Sequence, residues 1–181
     1  MKTVILVANK DEASHIQDLV FNSTPDHQVS ILITGEGRTN VIRTVAEKLR
    51  DGYLEFDDKF INVGYVGAKG INKGTVAKVG VVEHLIPSKT IKESCIALNV
   101  PKSELECYGC FTADNFVDND SINPDMPNKF VCDMELYYLV LMLPEIMSIK
   151  IVSDTLDYDE YKNASFDESW EIVKRELKEM I

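Results

Sequence analysis

The chain has 181 residues, 45% hydrophobic and 27% charged, which is ordinary for a globular protein with a substantial core. Its formal net charge of −11 would repel phosphate backbones, so we expect no nucleic-acid partner. No segment approaches about 18 uninterrupted apolar residues, and the first apolar run is too short for a secretory signal. We therefore expect a cytoplasmic protein without a membrane segment, folded as one domain over residues 1–181.

Strands and helices alternate in the first third of the chain. The continuous apolar runs Thr3–Ala8 and Val29–Thr34 are typical of buried strands. Each precedes a segment with apolar residues at helical spacing, over residues 11–21 and 40–49 respectively. Pro25 marks a turn between the first helix and the second strand.

From residue 60 to about 115 the predicted strands follow one another without helices. They cover residues 60–65, 76–86, 95–100 and 104–110, and the glycine-rich segment Gly64–Gly70 reads as a turn that a ligand could approach. Alternating elements followed by consecutive strands predict an α/β fold. Specifically, we expect a three-layer sandwich with a mixed, partly closed central sheet.

The segment 131–154 predicts a helix followed by a strand. Glu135 lies on the first turn of an apolar helix that ends at Leu143, and an apolar strand over residues 146–152 ends at Ser153 and Asp154. Ligands of open α/β sheets bind beyond the carboxyl ends of the strands, so Asp154 would lie at such a crevice and Glu135 could face it. Alternatively, both acids are solvated helix and strand caps.

A polar, acidic loop is predicted over residues 155–164. After it, Ser165 and Glu168 have the spacing of a capping box at the start of the last helix.

Two further patterns carry weak functional signals. Gly35 and Gly37 after the second strand could form a phosphate cradle, but Asn40 replaces the third glycine of that fingerprint and a tight turn explains both. Cys107 and Cys110 have the spacing of a redox or zinc pair, but they lie in a predicted strand without a second pair. Reduced, packed cysteines are the simpler interpretation.

Seven short motifs, most of them at predicted strand ends or helix starts, follow one another in a fixed order along nearly the whole chain. They are Glu12, Thr34-Gly35-x-Gly37, Asn62–Gly67, Ala113–Val117, Asp133-Met134-Glu135, Val152-Ser153-Asp154 and Ser165–Glu168. This series resembles the nucleoside phosphorylase superfamily, and it is most similar to the branch of methylthioadenosine/S-adenosylhomocysteine nucleosidases. The resemblance implies a homodimer that acts on a nucleoside and needs no metal or organic cofactor.

The resemblance also implies roles for the acidic residues. Asp154 would be the general acid that protonates N7 of the departing purine, oriented by Ser153. Glu12 would position or activate the attacking water. Glu135 would bind the ribose hydroxyls, with Met134 packed beneath the sugar.

The remaining site positions concern the base and the water pocket. Phe116 would stack on the base, and the backbone of Val117 would read the purine edge. Tyr65, in the same segment as the substrate-binding position Gly67, stands where these nucleosidases carry a serine. Lys150 stands where they carry an arginine, and it keeps the charge but loses the two-pronged hydrogen-bonding geometry.

These roles imply a purine nucleosidase that cleaves the N-glycosidic bond of a (5′-thio)adenosine-type nucleoside by water attack, with acid-assisted departure of the purine. Protonation of the leaving purine lowers the barrier, and carboxylates near the sugar stabilise its developing positive charge. A phosphate-dependent purine nucleoside phosphorylase is one alternative, but Asp11 and Glu12 stand where superfamily phosphorylases carry a phosphate-binding turn, and they would repel phosphate. A non-catalytic nucleoside-binding protein is the other, because Tyr65 and Lys150 depart from the family pattern.

Overall fold

The computed structural model describes residues 2–21, 28–85, 95–123, 125–162 and 165–181. Within these residues there are eight strands: β1 (Thr3–Val7), β2 (Val29–Ile33), β3 (Lys59–Lys69), β4 (Val76–His84), β5 (Ile96–Ala97), β6 (Cys107–Thr112), β7 (Phe130–Asp133) and β8 (Met147–Asp154). The α-helices of the same residues are α1 (Lys10–His15), α2 (Gln17–Phe21), α3 (Gly37–Arg50), α4 (Leu136–Met142), α5 (Tyr158–Lys162) and α6 (Asp167–Met180). The predicted turn at Pro25 and the end of the predicted strand at Ile86 lie outside the described residues.

All eight strands belong to one mixed sheet. Its order is β2-β1-β3-β7-β6-β4-β5, and β8 pairs with both β3 and β4. Because β8 runs parallel to β3 and antiparallel to β4, the strands β3, β7, β6, β4 and β8 form a closed ring. The predicted mixed and partly closed sheet is thus confirmed.

Helices cover both faces of the sheet. Along β1, Val4 and Leu6 pack in a core cluster with residues of α3 and α4. Ile5 and Val7 belong to a second cluster, which includes Trp170 and other residues of α6. Because alternate residues of a buried strand point to opposite faces, β1 divides two apolar layers. This arrangement confirms the three-layer sandwich.

Several helix boundaries differ from the sequence-based predictions. The helix predicted over residues 11–21 is interrupted at the fully buried Ile16, whose N–H donates to the carbonyl of Ala13. The predicted acidic loop contains α5. The predicted capping box is wrong, because α6 begins after Phe166 and the hydroxyl of Ser165 donates instead to the carboxylate of Asp167 at 3.1 Å.

The strands also differ from the predictions in two places. The segment Gly64–Gly70 is not a turn, because β3 continues through it to Lys69 and pairs there with β7 and β8. The four-residue strand β7 was not predicted at all. The longer strand expected over residues 95–100 is reduced to β5.

The cysteines at positions 107 and 110 do not form a redox pair. Both lie on β6, where residues three apart point to opposite faces of the strand. Cys107 is exposed, whereas Cys110 is buried and burial raises the pKa of its thiol well above the usual value. They are therefore two unbridged thiols in different environments. In the described part of the chain, no helix is both long enough and apolar enough to cross a bilayer.

Candidate active site

A cavity of about 310 Å³ lies where β1, β7 and β8 end and where the loop after β6 leaves the sheet. Ten positions were expected to form a site, and nine of them line this cavity: Glu12, Tyr65, Gly67, Phe116, Val117, Met134, Glu135, Ser153 and Asp154. Residues spread over more than 140 positions of the sequence are thus brought to one place by the sheet topology.

Asp154, the last residue of β8, is 1% exposed and is held by hydrogen bonds at both carboxylate oxygens. The hydroxyl of Ser153 donates to its Oδ2 at 2.7 Å, and the backbone N–H of Leu156 donates to its Oδ1 at 2.9 Å. Leu156 has a φ of 64°, a conformation that costs a non-glycine residue about 1–3 kcal/mol and that is concentrated at functional sites. Burial raises the pKa of Asp154 against these donors, which favours a proton donor.

Glu12 is anchored by backbone amides at both carboxylate oxygens. Its Oε2 accepts a hydrogen bond from the N–H of Ala8 at 2.7 Å, and its Oε1 accepts one from the N–H of Tyr65 at 2.9 Å. The side chain of Asn9 accepts from the N–H of Glu12 at 3.0 Å, and the N–H of Asn9 donates to Glu12 Oε2 at 3.4 Å, so the two residues form a capping box at the start of α1. Burial raises the pKa of Glu12, while the amides and the charge of Lys150 lower it.

Two glycines let β3 pass close to the carboxyl groups. A Cβ on Gly64 would lie 2.6 Å from Glu12 Oε1, and one on Gly67 would lie 2.8 Å from Asp154 Oδ1. Any larger residue at either position would push a carboxyl group aside. The glycine-rich pattern was expected to mark a backbone segment that a ligand approaches. In the structure, the groups that approach the strand are the carboxyl groups of Glu12 and Asp154.

Glu135 directly precedes α4 and lies opposite the start of α3. Its Oε1 accepts a hydrogen bond from the N–H of Gly37 at 2.7 Å, and its Oε2 accepts one from the N–H of Met134 at 3.3 Å. Burial raises the pKa of Glu135 to about 7, and the charge of Asp133 contributes in the same direction. The start of α3, which the sequence suggested as a phosphate cradle, thus binds a carboxylate of the protein itself.

Lys150 is the one expected site residue that the structure does not place among those lining the cavity. It is 2% exposed, and its Nζ lies 2.9 Å from Oδ2 of Asp133. Asp133 lines the cavity and also accepts from the hydroxyl of Thr112 at 2.6 Å. Burial alone would lower the pKa of Lys150, but Asp133 raises it overall, so the buried ammonium stays charged. Lys150 therefore acts on the site through its charge and through Asp133.

Aromatic rings form two walls of the cavity. Phe116 meets the ring of Tyr158 edge-on, with 5.2 Å between ring centroids. Tyr65 packs against Phe166 and Trp170, and its hydroxyl oxygen accepts a hydrogen bond from Trp170 Nε1 at 2.7 Å.

Sequence reasoning missed several residues that contribute to the cavity. The spacing Asn9-x-x-Glu12 is a capping-box signature that could have placed both residues at a helix start. Tyr158 carried no such signal, because α5 was predicted as a loop. Asp133 was part of a motif, but the sequence did not show its partner Lys150.

The charged side chains that line the cavity are all acidic. Five carboxylate residues line it: Glu12, Glu36, Asp133, Glu135 and Asp154. Among the described residues that line it, none is lysine or arginine. In the described ranges of the chain, no group of three or more potential metal ligands was found. The lining thus suits a neutral or cationic ligand better than an anionic one.

Comparisons with known proteins identify the fold. No family model and no curated protein sequence matches the chain. An Asp-to-Asn variant of a methylthioadenosine/S-adenosylhomocysteine nucleosidase from Chlamydia trachomatis, solved with methylthioadenosine, matches with a TM-score of 0.77 at 15% identity, covering 99% of this chain and 97% of that one.

Two other solved structures agree. A futalosine hydrolase of Helicobacter pylori has a TM-score of 0.77 at 15% identity, with 99% of this chain and 97% of that chain covered. The same type of nucleosidase from S. pneumoniae, solved with a transition-state inhibitor, has a TM-score of 0.74 at 16% identity, with 100% of both chains covered. The chain therefore has the fold of these solved nucleosidases and of futalosine hydrolase.

Proposed function

We propose that the protein is a purine nucleosidase that hydrolyses the N-glycosidic bond of an adenosine-type nucleoside, with a 5′-thio substituent as the preferred group. The observation that carries this proposal is the position of Asp154 and Glu135, which are both buried and line one cavity together with Glu12. Solved proteins with the same fold that act on such nucleosides support the choice of substrate.

Asp154 supplies the proton in the proposed reaction. A purine anion is a poor leaving group, so protonation of N7 lowers the barrier to bond cleavage. A positioned general acid typically contributes about 10²–10⁴-fold to the rate. The raised pKa of Asp154, caused by burial, keeps more of the carboxyl group protonated near neutral pH than an exposed aspartate would.

Glu135 and Glu12 act on the sugar side of the bond. Glu135 accepts hydrogen bonds from the ribose hydroxyls and stabilises the positive charge that develops on the sugar. Glu12 orients the attacking water. Its oxygens accept three amide hydrogen bonds, two at Oε2 and one at Oε1, and a carboxylate has lone-pair sites for about four, so a water can still bind at Oε1.

The neutral parts of the cavity fit the rest of a nucleoside. Phe116, braced by Tyr158, offers an aromatic face for the base. Val117 follows it and presents its backbone to the purine edge, while Met134 contacts the sugar from below. These three residues define the base and the ribose subsites of the proposal.

The charges of the site favour water over phosphate as the nucleophile. A phosphate dianion would meet five carboxylate residues and no cationic side chain among the described lining residues. The two arginines of α3 nearest the cavity end of the helix have other partners: Arg38 lies 3.8 Å from the carboxylate of Asp114, and Arg43 donates to Asn40 at 2.9 Å. The amide of Gly37 is taken by Glu135.

Purine release from methylthioadenosine, adenosine and inosine, measured with and without inorganic phosphate, tests the proposed function. We expect release of adenine from methylthioadenosine at the same rate in both conditions. Strict dependence on phosphate would identify a phosphorylase instead.

Glu135 should make nucleoside binding depend on pH. With a pKa of about 7, its ionised fraction rises from about one-tenth at pH 6 to about nine-tenths at pH 8. Only the carboxylate accepts from both ribose hydroxyls, so affinity should rise about tenfold over this interval. Calorimetry on the Asp154→Asn variant measures binding without turnover or Asp154 titration. The Asp154→Asn/Glu135→Gln variant should show no such rise, and an equal rise in both variants would exclude Glu135 as its cause.

A further inference from the structure

A chain of polar contacts outside the cavity joins four elements of the fold. Tyr138 on α4 is 4% exposed, and its hydroxyl lies 2.6 Å from Nε2 of His84 at the end of β4. The same hydroxyl donates to Oδ1 of Asp114, which follows β6. Arg38 of α3 places its guanidinium 5.6 Å from the centre of the Tyr138 ring and 3.8 Å from Oδ2 of Asp114.

The chemistry of these groups fixes the direction of the hydrogen bonds. A carboxylate can only accept, so the Tyr138 proton points to Asp114. The oxygen of Tyr138 is then left to accept from His84, whose Nε2 must carry a proton. His84 in turn stacks on Tyr137, with 5.3 Å between ring centroids. The carboxylate of Asp114 is therefore the end point of an oriented chain.

Asp114 lies where the base wall of the cavity begins. The backbone N–H of Ala113 donates to the carbonyl of Asp133, which anchors the loop to the sheet. Asp114 is the first residue beyond that anchor, and the next three residues, 115–117, all line the cavity. The contacts of Asp114 thus restrain the loop that presents Phe116.

The same two helices hold the ribose-binding acid. Arg38 directly follows Gly37, whose N–H donates to Glu135. Tyr138 is one helical turn after Glu135, and its N–H donates to the carbonyl of that residue. The loop that carries Phe116 and the carboxylate of Glu135 are therefore both held by residues at the N-terminal ends of α3 and α4.

We propose that Asp114 and Tyr138 are positioning residues, whose contact sets the distance between the loop that carries Phe116 and the carboxylate of Glu135. A nucleoside reaches both of these subsites, so its affinity depends on the contact. A free base reaches only the loop, so its affinity does not. This inference rests on the proposed function. It predicts that breaking the contact weakens binding of ligands that reach both subsites. The chemical step, which occurs at Asp154 and Glu12, should be affected little.

The variants Tyr138→Phe and Asp114→Ala test the proposal. Each should raise KM for methylthioadenosine about tenfold, as expected for a lost hydrogen bond to a charged group, with little change in kcat. Both variants remove the hydrogen bond between Tyr138 and Asp114, and Asp114→Ala also removes the ion pair with Arg38. The double variant should therefore cost no more than Asp114→Ala alone. Asp114→Asn keeps an acceptor for Tyr138 and should stay close to wild type.

Calorimetry on the Asp154→Asn background separates this inference from the proposed function. Adding Tyr138→Phe should weaken binding of methylthioadenosine about tenfold and binding of free adenine much less. The matched control is Tyr108→Phe on β6, which removes a hydrogen bond from a tyrosine to the carboxylate of Glu106 and should change neither affinity. Equal losses for adenine and nucleoside, or a lowered Tm without a change in KM, would overturn the positioning role. Absence of nucleoside binding in the parent variant would instead reject the proposed function.

Discussion

Replacing Asp154 with asparagine should lower kcat for purine release by about 10²–10⁴-fold, the usual contribution of a general acid. Asparagine has nearly the same shape: its amide oxygen can accept from the N–H of Leu156, and its NH2 group can donate to the hydroxyl of Ser153, which lies 2.7 Å from Oδ2 in the native protein. It can donate a hydrogen bond to the base but cannot transfer a proton. We therefore expect the variant to bind methylthioadenosine while turnover is nearly abolished.

The control for this variant is Asp51→Asn at the exposed end of α3, which removes the same charge without touching the cavity. It should leave kcat unchanged. Activity retained in Asp154→Asn would discard the assignment of the acid. Tight binding without turnover in the native protein, unchanged by Asp154→Asn, would favour a nucleoside-binding protein over an enzyme.

The second large effect is expected from Lys150→Met. Methionine has a similar length but no charge, so it leaves the carboxylate of Asp133 buried without its partner at 2.9 Å. Breaking a buried ion pair in this way typically costs about 3–5 kcal/mol of the free energy of unfolding. The loss should be visible as a lower midpoint of urea unfolding with an unchanged slope.

A surface pair provides the control for Lys150. Lys174→Met breaks an ion pair to Glu171, which is largely exposed, and should cost less than about 1 kcal/mol. Combining Lys150→Met with Asp133→Asn removes both charges and should recover part of the loss. A cost for Lys150→Met no larger than that for Lys174→Met would show that the buried pair does not stabilise the fold.

The charge of Lys150 also affects the protonation of two carboxyl groups that line the cavity. This positive charge lowers the pKa of Glu12 and of Glu135, against the effect of burial. Without it, both carboxyl groups would hold their protons to higher pH. Lys150 thus affects the two carboxyl groups through its charge, although it does not line the cavity.

Most of the site could be predicted because its residues follow strand ends. Asp154 ends an apolar strand and Glu12 starts a helix beyond another, so the rule for parallel strands places both at one edge of the sheet. Their assignment to an acid and a water-binding group came from the order of the motifs. Only the structure shows the close contacts that fix the position of each carboxyl group, such as the contact between Gly67 and Asp154.

The rest could not be predicted because it depends on contacts between distant segments. Lys150 lies in an apolar strand, and the sequence contains no sign that Asp133 neutralises it inside the closed ring. Gly64 and Gly67 suggested a turn, since glycine usually weakens a strand, but pairing with β7 and β8 overrides that preference. The contact of Tyr138 with Asp114 likewise joins residues 24 positions apart.

The proposed function requires that Asp154 and Glu135 bind the purine and the ribose of the same nucleoside. A crystal structure of the Asp154→Asn variant with methylthioadenosine tests this directly. We expect N7 of the purine within about 3 Å of the substituted side chain at position 154, and the ribose hydroxyls within the same distance of Glu135. A nucleoside bound outside the cavity, or one whose base and sugar cannot reach both residues together, would contradict the account.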